Sequence, residues 1–147
     1  MHTPHPAATP PDESWTMLEF SGPFALNNGP MFIRLAALDA AEPARFGLRV
    51  EEKHCNPLHI CHGGMLATFM DIVLARGLQY DMGKPQGQLL TMSMSLDYLA
   101  AAPLGAWLES RVSVLRKSRT TGFVQAVIYD GETPVLRGNG IFRIPAK

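Results

Sequence analysis

The segment from residue 54 to residue 80 concentrates the residues of this chain that could do chemistry. It opens with a loop rich in His, Cys, Asn and Pro and continues, after a Gly-Gly pair, into an apolar run. Between residues 65 and 75 the only polar side chains are those of Thr68 and Asp71. This pattern predicts a helix that is buried on nearly every side. Because a buried carboxylate is costly unless it is paired or hydrogen-bonded, Asp71 is the first functional candidate.

The glycine pair, Gly63 and Gly64, stands where the predicted helix begins. The first backbone N–H groups of a helix have no partner within the helix, and the macrodipole is positive at this end. Glycine also lacks the Cβ that would keep a ligand away from the backbone. The pair therefore predicts a place where a backbone N–H can stabilise negative charge. The alternative is that the glycines only permit a sharp turn from loop to helix.

Five potential metal ligands crowd the loop before this helix: His54, Cys55, His59, Cys61 and His62. Their spacing matches none of the usual zinc-binding pairs, so we predict that the protein binds no metal. Two cysteines this close, in a chain without a signal-peptide pattern, predict reduced thiols rather than a disulfide. We expect both to act as small apolar side chains in the core.

Length and composition indicate one globular domain. The chain has 147 residues, 46% of them hydrophobic and 18% charged, which is enough to bury a core. Its formal net charge of zero argues against a nucleic-acid binder, and its longest apolar run is too short to span a membrane. The Pro-rich residues 1–14 predict a disordered tail ahead of a single domain at 15–147. This tail has no signal or transit pattern, which predicts a cytoplasmic protein.

The elements around the central helix are mainly strands. The pattern predicts a short helix at 14–20, and strands at 31–35, 44–52, 90–98, 107–115, 123–129 and 134–144. Short turns join the last four strands, so neighbouring strands must run antiparallel. The fold class is therefore α+β, with one antiparallel sheet of about six strands wrapped around one long buried helix.

Strand 90–98 has the clearest alternation in the sequence. Strict alternation of side chains predicts one polar face and one apolar face on this strand. The polar face holds Thr91, Ser93, Ser95 and Asp97, and the apolar face holds Met92, Met94, Leu96 and Tyr98.

The order and spacing of these motifs resemble the hotdog-fold acyl-CoA thioesterases, specifically the phenylacetic-acid-degradation (PaaI-like) type. In that family an Asn ends a strand, His-Gly-Gly follows six residues later, and an Asp lies within the helix. Asn56, His62-Gly63-Gly64 and Asp71 stand in that register, and Thr91 stands where the family carries Ser or Thr. The resemblance covers roughly residues 16 to 144.

The resemblance implies hydrolysis of an acyl-CoA thioester to a free acid and CoA, without a cofactor. Asp71 would be the general base or the nucleophile, and the Gly63 N–H would bind the oxyanion. Asn56 and Thr91 would position the thioester or the attacking water. His62 would shape the turn, support its neighbours or take part in the chemistry directly.

Each of these assignments has a plainer alternative. Asp71 could be a hydrogen-bonded structural carboxylate, Asn56 could only end a strand, and Thr91 could be an ordinary polar strand residue. At the level of the whole protein, the alternative is a non-catalytic acyl-CoA sensor or binding module of the same fold. Hydratases and dehydratases of this fold use differently spaced His/Glu or Asp/His pairs that this sequence lacks.

Two further features bear on the substrate. In the family, the turn that here contains Arg116, Lys117 and Arg119 approaches the CoA phosphates, although a basic turn can also be merely solvated. The family often has Gly three residues after the Asn, and here that position is His59. Since Gly is used where φ is positive or a ligand comes close, His59 is expected to reshape the loop that faces the acyl group.

Helix geometry predicts an oligomer. Gly63 and Asp71 are eight residues apart, which is about 12 Å along a helix. A general base must lie within about 3 Å of the group it serves, or act through one water. The Asp71 that serves a given Gly63 would therefore come from the antiparallel helix of a second subunit. The resemblance implies the same arrangement: two-fold dimers, often paired again into homotetramers, with the sites at the subunit interface.

Overall fold

The computed structural model describes residues 8–36, 44–84 and 87–146. The elements, in chain order, are β1 (Thr16–Met17), α1 (Pro23–Asn28), β2 (Phe32–Leu35), β3 (Ala44–Arg49), a 3₁₀ turn (Glu52–His54), α2 (Gly63–Asp81), β4 (Leu90–Tyr98), β5 (Trp107–Lys117), β6 (Thr121–Asp130) and β7 (Thr133–Arg143). None of the helices among these residues is long and apolar enough to cross a membrane.

Within the described ranges, one seven-stranded antiparallel sheet, in the order β1-β2-β3-β5-β6-β7-β4, wraps around α2. The helix fills the concave side with side chains that are fully buried, among them Phe69, Met70 and Leu74. The sheet lies so close to α2 that a Cβ on Gly122 would stand 2.4 Å from Leu78, so a larger residue there would have to displace the Leu78 side chain. The predicted α+β class, with one long central helix inside an antiparallel sheet, is confirmed.

The N-terminal part of the domain differs from the prediction. The short helix predicted at 14–20 is wrong: β1 (Thr16–Met17) pairs there with β2, which gives seven strands instead of six. Trp15 explains the difference, because its side chain is buried edge-on against Trp107, with ring centroids 5.1 Å apart. This packing and the pairing with β2 outweigh a weak local helix signal.

The only helix among the described residues ahead of α2, apart from the 3₁₀ turn, is α1 (Pro23–Asn28), which was not predicted. Proline is well suited to the first turn of a helix, since it has no N–H to leave unpaired. Of the predicted tail, residues 1–7 lie outside the described residues. The remainder, 8–14, is irregular, and the Arg49 Nε donates to the Thr9 carbonyl at 3.1 Å.

Candidate active site

Asn56 lies in a tight loop that leads from the 3₁₀ turn to α2. Its backbone N–H donates to the Ile60 carbonyl at 2.9 Å, and its carbonyl accepts from the His59 N–H at 3.0 Å. The side-chain oxygen accepts from the Leu58 N–H at 2.9 Å, as in an Asx turn. This bond orients the amide, so the side-chain NH₂ of Asn56 remains as the group that can donate to a ligand.

His62 caps the start of α2. Its Nδ1 accepts from the Gly64 N–H at 2.8 Å, so the neutral ring carries its proton on Nε2. The Gly63 N–H precedes this bond and has no acceptor among the described residues. The carbonyl of Gly63 accepts from the Tyr98 hydroxyl at 2.7 Å. Relative to the part of the chain that the structure describes, the start of the helix thus presents one free backbone N–H, on a residue that has no side chain.

Asp71 is held from the neighbouring strand. The Thr91 hydroxyl donates to the Asp71 Oδ1 at 2.7 Å. The sequence predicted a carboxylate within a buried helix, and in the single chain the side chain of Asp71 is half-buried. β4 is the last strand of the sheet on this side, so the sheet leaves a strip of α2 uncovered, which includes Ala67, Thr68 and Ala75.

A β-bulge turns Thr91 toward the helix. Strict alternation would have placed Thr91 on the outer face with Ser93, and that prediction is wrong. The register shifts between these two residues, so Thr91 pairs with Phe142, which is fully buried, and Ser93 pairs with Ile141. Because Met92 is the extra residue of the bulge, the side chains of Thr91 and Ser93 point to opposite faces of the sheet.

A cavity of about 350 Å³ opens beside the start of α2. Asn56, Gly63 and Tyr98 line it together with the apolar residues Ile60, Cys61, Leu66, Leu99, Ala100, Ala101 and Ala102. Asp71 is not among the lining residues. The structure therefore brings Asn56 and Gly63 together at the start of α2. Asp71 and Thr91 lie together further along the same helix, outside this cavity.

Tyr98 is the residue of this cavity that sequence reasoning missed. Alternation placed it on the apolar face, which is correct, because it pairs with the buried Leu136. A tyrosine at the end of such a face still carries a hydroxyl that needs a partner. That requirement was the available signal, and the partner is the Gly63 carbonyl.

Of the other loop residues, His54 is structural. It is 2% exposed; its Nδ1 accepts from the Glu51 N–H at 3.0 Å and its Nε2 donates to the Asn28 carbonyl at 2.7 Å. Burial lowers the pKa of His54, which keeps the ring neutral. His59 adopts a φ of +59°, a left-handed conformation that glycine takes up more readily than other residues.

The two cysteines are free thiols, and their backbones form an isolated antiparallel β-bridge with each other. Burial raises the pKa of Cys61 to about 12, so its thiol stays protonated and unreactive. Burial also raises the pKa of Cys55. Among the residues that the structure describes, no group of three or more His, Cys, Asp or Glu side chains could hold a metal ion.

The three basic residues of the β5–β6 hairpin do not form one cluster. A second bulge, between Val114 and Arg116, turns Arg116 to the outer face and Lys117 to the helix face. Lys117 forms an ion pair with Asp81 at the end of α2. Arg119 lies in the exposed turn, and neither Arg116 nor Arg119 forms an ion pair with any described residue.

Comparison with known proteins places the chain in a family. The model of the thioesterase superfamily matches residues 58–136. A Pseudomonas aeruginosa protein that carries the provisional name of an esterase is 33% identical over 117 residues, 80% of this chain and 84% of its own length. Human acyl-coenzyme A thioesterase 13 is 28% identical over 94 residues, 63% of this chain and 65% of that protein.

Solved structures agree at the level of the fold. The Escherichia coli PaaI protein of the phenylacetic acid degradation operon is 19% identical, with a TM-score of 0.67 over 86% of each chain. A Streptococcus pneumoniae thioesterase-like protein, solved with coenzyme A, is 18% identical, with a TM-score of 0.65 over 78% of this chain and 90% of that one. The chain belongs to the thioesterase superfamily and has the hotdog fold of the PaaI-like proteins, which assigns thioester hydrolysis to it at the family level.

Proposed function

We propose that this protein hydrolyses acyl-CoA thioesters to a free acid and CoA. The observation that carries the proposal is the free N–H of Gly63 at the positive end of α2, on a residue that lines a cavity together with Asn56. A thioester carbonyl can approach this N–H closely, because Gly63 has no Cβ. The carbonyl develops negative charge when it is attacked, and a fixed N–H then stabilises it most.

Asp71 supplies the base in this proposal. Its carboxylate takes a proton from a water molecule while the water oxygen bonds to the thioester carbon. The tetrahedral oxyanion is held by the Gly63 N–H. When it collapses, the C–S bond breaks, and the CoA thiolate takes up the proton from Asp71. In the alternative route the carboxylate attacks the thioester carbon directly, the C–S bond breaks and CoA thiolate leaves, which gives a mixed anhydride. Water then hydrolyses this anhydride to the free acid and the Asp71 carboxylate, and a proton from that water neutralises the thiolate. In both routes Thr91 orients the carboxylate and leaves Oδ2 open.

The proposed site needs two subunits. Gly63 and Asp71 of one chain are separated by about 12 Å along α2. The uncovered strip of α2 and the free edge of β4 support a second copy here, since Leu90 and Met92 on this strand are 56% and 62% exposed. An antiparallel second helix would bring its Asp71 to this Gly63. We propose a homodimer with two such sites, which in turn pairs into a tetramer.

The same geometry suggests where CoA binds. In the chain that supplies Asp71, the end of α2 lies about 15 Å beyond that residue, because Asp81 is ten positions further along the helix. We infer that the basic hairpin of that second subunit lies along the path of the pantetheine arm. We propose that Arg116 and Arg119 contact the CoA phosphates, with Lys117 contributing from its position beside Asp81.

Release of free CoA from a panel of aryl, short-chain and long-chain thioesters tests the proposal. The wild-type protein is expected to turn over at least one class, and Asp71→Asn is expected to bind the same acyl-CoA without turnover. Asp97→Asn is the matched control. Asp97 lies on β4, the strand that also carries Thr91, but its carboxylate pairs with Arg137 on the outer face of the sheet. Saturable binding without turnover by the wild type would instead identify a sensor or binding module.

A further inference from the structure

One peptide unit in the candidate site is held at both ends. The bond between Gly63 and Gly64 has its carbonyl oxygen bonded by the Tyr98 hydroxyl at 2.7 Å, and its N–H bonded to the His62 Nδ1 at 2.8 Å. The free Gly63 N–H lies immediately before this unit. Two side chains from different elements, one from the edge strand and one from the cap residue, therefore hold the same backbone segment.

We propose that Tyr98 is a positioning residue for the oxyanion donor, and that it acts together with His62 by holding the Gly63–Gly64 peptide. This inference rests on the proposed function, since it assigns a purpose to the geometry of the Gly63 N–H. Tyr98 itself need not touch the reacting atoms.

The physical reason is the freedom of glycine. Two successive glycines at the first turn of a helix can take many backbone conformations, and the ends of helices fray readily. An oxyanion donor is effective only when its direction is fixed before the reaction begins. The hydrogen bond from Tyr98 fixes the peptide plane that follows Gly63. The Tyr98 ring also covers one side of Gly63, because its Cε1 lies 3.5 Å from the position that a Cβ on Gly63 would occupy.

The exposure of Tyr98 argues against a purely structural role for its hydroxyl. The Tyr98 side chain is 54% exposed, so it contributes little to the buried core. Its hydroxyl could be satisfied by water if the Gly63 carbonyl were not there. A bond that adds little to stability but holds the peptide beside the only free N–H of the helix start, within the described residues, points to positioning.

Tyr98→Phe tests the proposal, because it removes the hydroxyl and keeps the ring. We expect kcat to fall by about fivefold to tenfold, which corresponds to the loss of roughly one hydrogen bond. KM should remain unchanged. Tyr129→Phe is the matched control: Tyr129 lies on β6 against Arg111, away from the cavity. Its kcat and KM should equal those of the wild type.

His62 provides the second arm of the test. His62→Asn keeps a side chain that caps helices well, whereas His62→Ala removes the cap. We expect Asn to retain most of the activity that Ala loses. Because Tyr98 and His62 act on one peptide unit, the double variant Tyr98→Phe/His62→Ala should lose less than the product of the two single losses.

A readout without turnover separates this proposal from the proposed function. Loss of the Tyr98 bond should shift the carbonyl ¹³C resonance of Gly63, while Tyr129→Phe leaves it in place. If the wild type shows no thioesterase activity, the proposed function fails regardless of this shift. If the wild type is active, a Tyr98→Phe enzyme with unchanged kcat, or an unmoved Gly63 resonance, overturns the positioning role.

Discussion

Strands β4 and β5 each contain one bulge, and each bulge turns a side chain toward a carboxylate of α2. On β4 it directs the Thr91 hydroxyl to Asp71, and on β5 it directs the Lys117 ammonium to Asp81. The partner decides what the carboxylate can do. A lysine neutralises Asp81 in a surface ion pair, whereas the Thr91 hydroxyl orients Asp71 without adding an opposing charge. The same local irregularity thus serves structure in one place and, in our proposal, chemistry in the other.

The largest expected effect is the difference in kcat between variants that remove the charge of Asp71 and of Asp81. Asp71→Asn is expected to lower kcat by roughly 10²–10⁴-fold with little change in KM, since an amide cannot accept the proton. Asp81→Asn should leave kcat within about twofold of the wild type, because only a surface ion pair is lost. Steady-state kinetics with one acyl-CoA measure both. Equal kcat values for Asp71→Asn and the wild type would return Asp71 to a structural role.

The next effect concerns the donor on β4. Thr91→Val keeps the shape of the side chain and removes the hydroxyl, so Asp71 loses its orientation. We expect kcat to fall by about threefold to tenfold, as for the loss of one hydrogen bond. Thr91→Ser retains the hydroxyl and should stay close to the wild type. If Val and Ser behave alike, the bond between Thr91 and Asp71 has no part in turnover.

The smallest effect is expected at the β5 bulge. Lys117→Met removes the ion pair with Asp81, and the free energy of unfolding should change by no more than about 1 kcal/mol, since both groups are partly exposed. A rise in KM for acyl-CoA with unchanged kcat would indicate contact with the CoA phosphates. A fall in kcat matching that of Thr91→Val would erase the contrast between the two bulges. Denaturant unfolding and steady-state kinetics provide the two measurements.

Particular residues show where sequence reasoning succeeded and failed. The central helix and the strands after it could be predicted because apolar periodicity and short turns fix them locally. The bulge at Met92 could not, because that residue carries no glycine or proline signal, and strict alternation then placed Thr91 on the wrong face. β1 was missed because Trp15 finds its partner, Trp107, far along the chain.

The candidate site could be predicted from the sequence only in part. Glycines before an apolar helix, and an aspartate within it, are visible in the sequence as candidates. The exposure of Asp71 was not, since it depends on where the sheet ends rather than on the helix. Tyr98 was placed on the correct face, yet its bond to the Gly63 carbonyl follows only from three-dimensional packing.

The central claim is that Asp71 of one subunit serves the Gly63 N–H of another. Asp71→Asn chains and Gly63→Val chains, each inactive alone, should be unfolded together and refolded at equal amounts. Hybrid dimers would then contain one intact pair, with Gly63 from the first chain and Asp71 from the second, at their two-fold interface. Random pairing predicts recovery of about one quarter of the wild-type activity. A refolded mixture that forms hybrids but remains inactive would contradict the shared site.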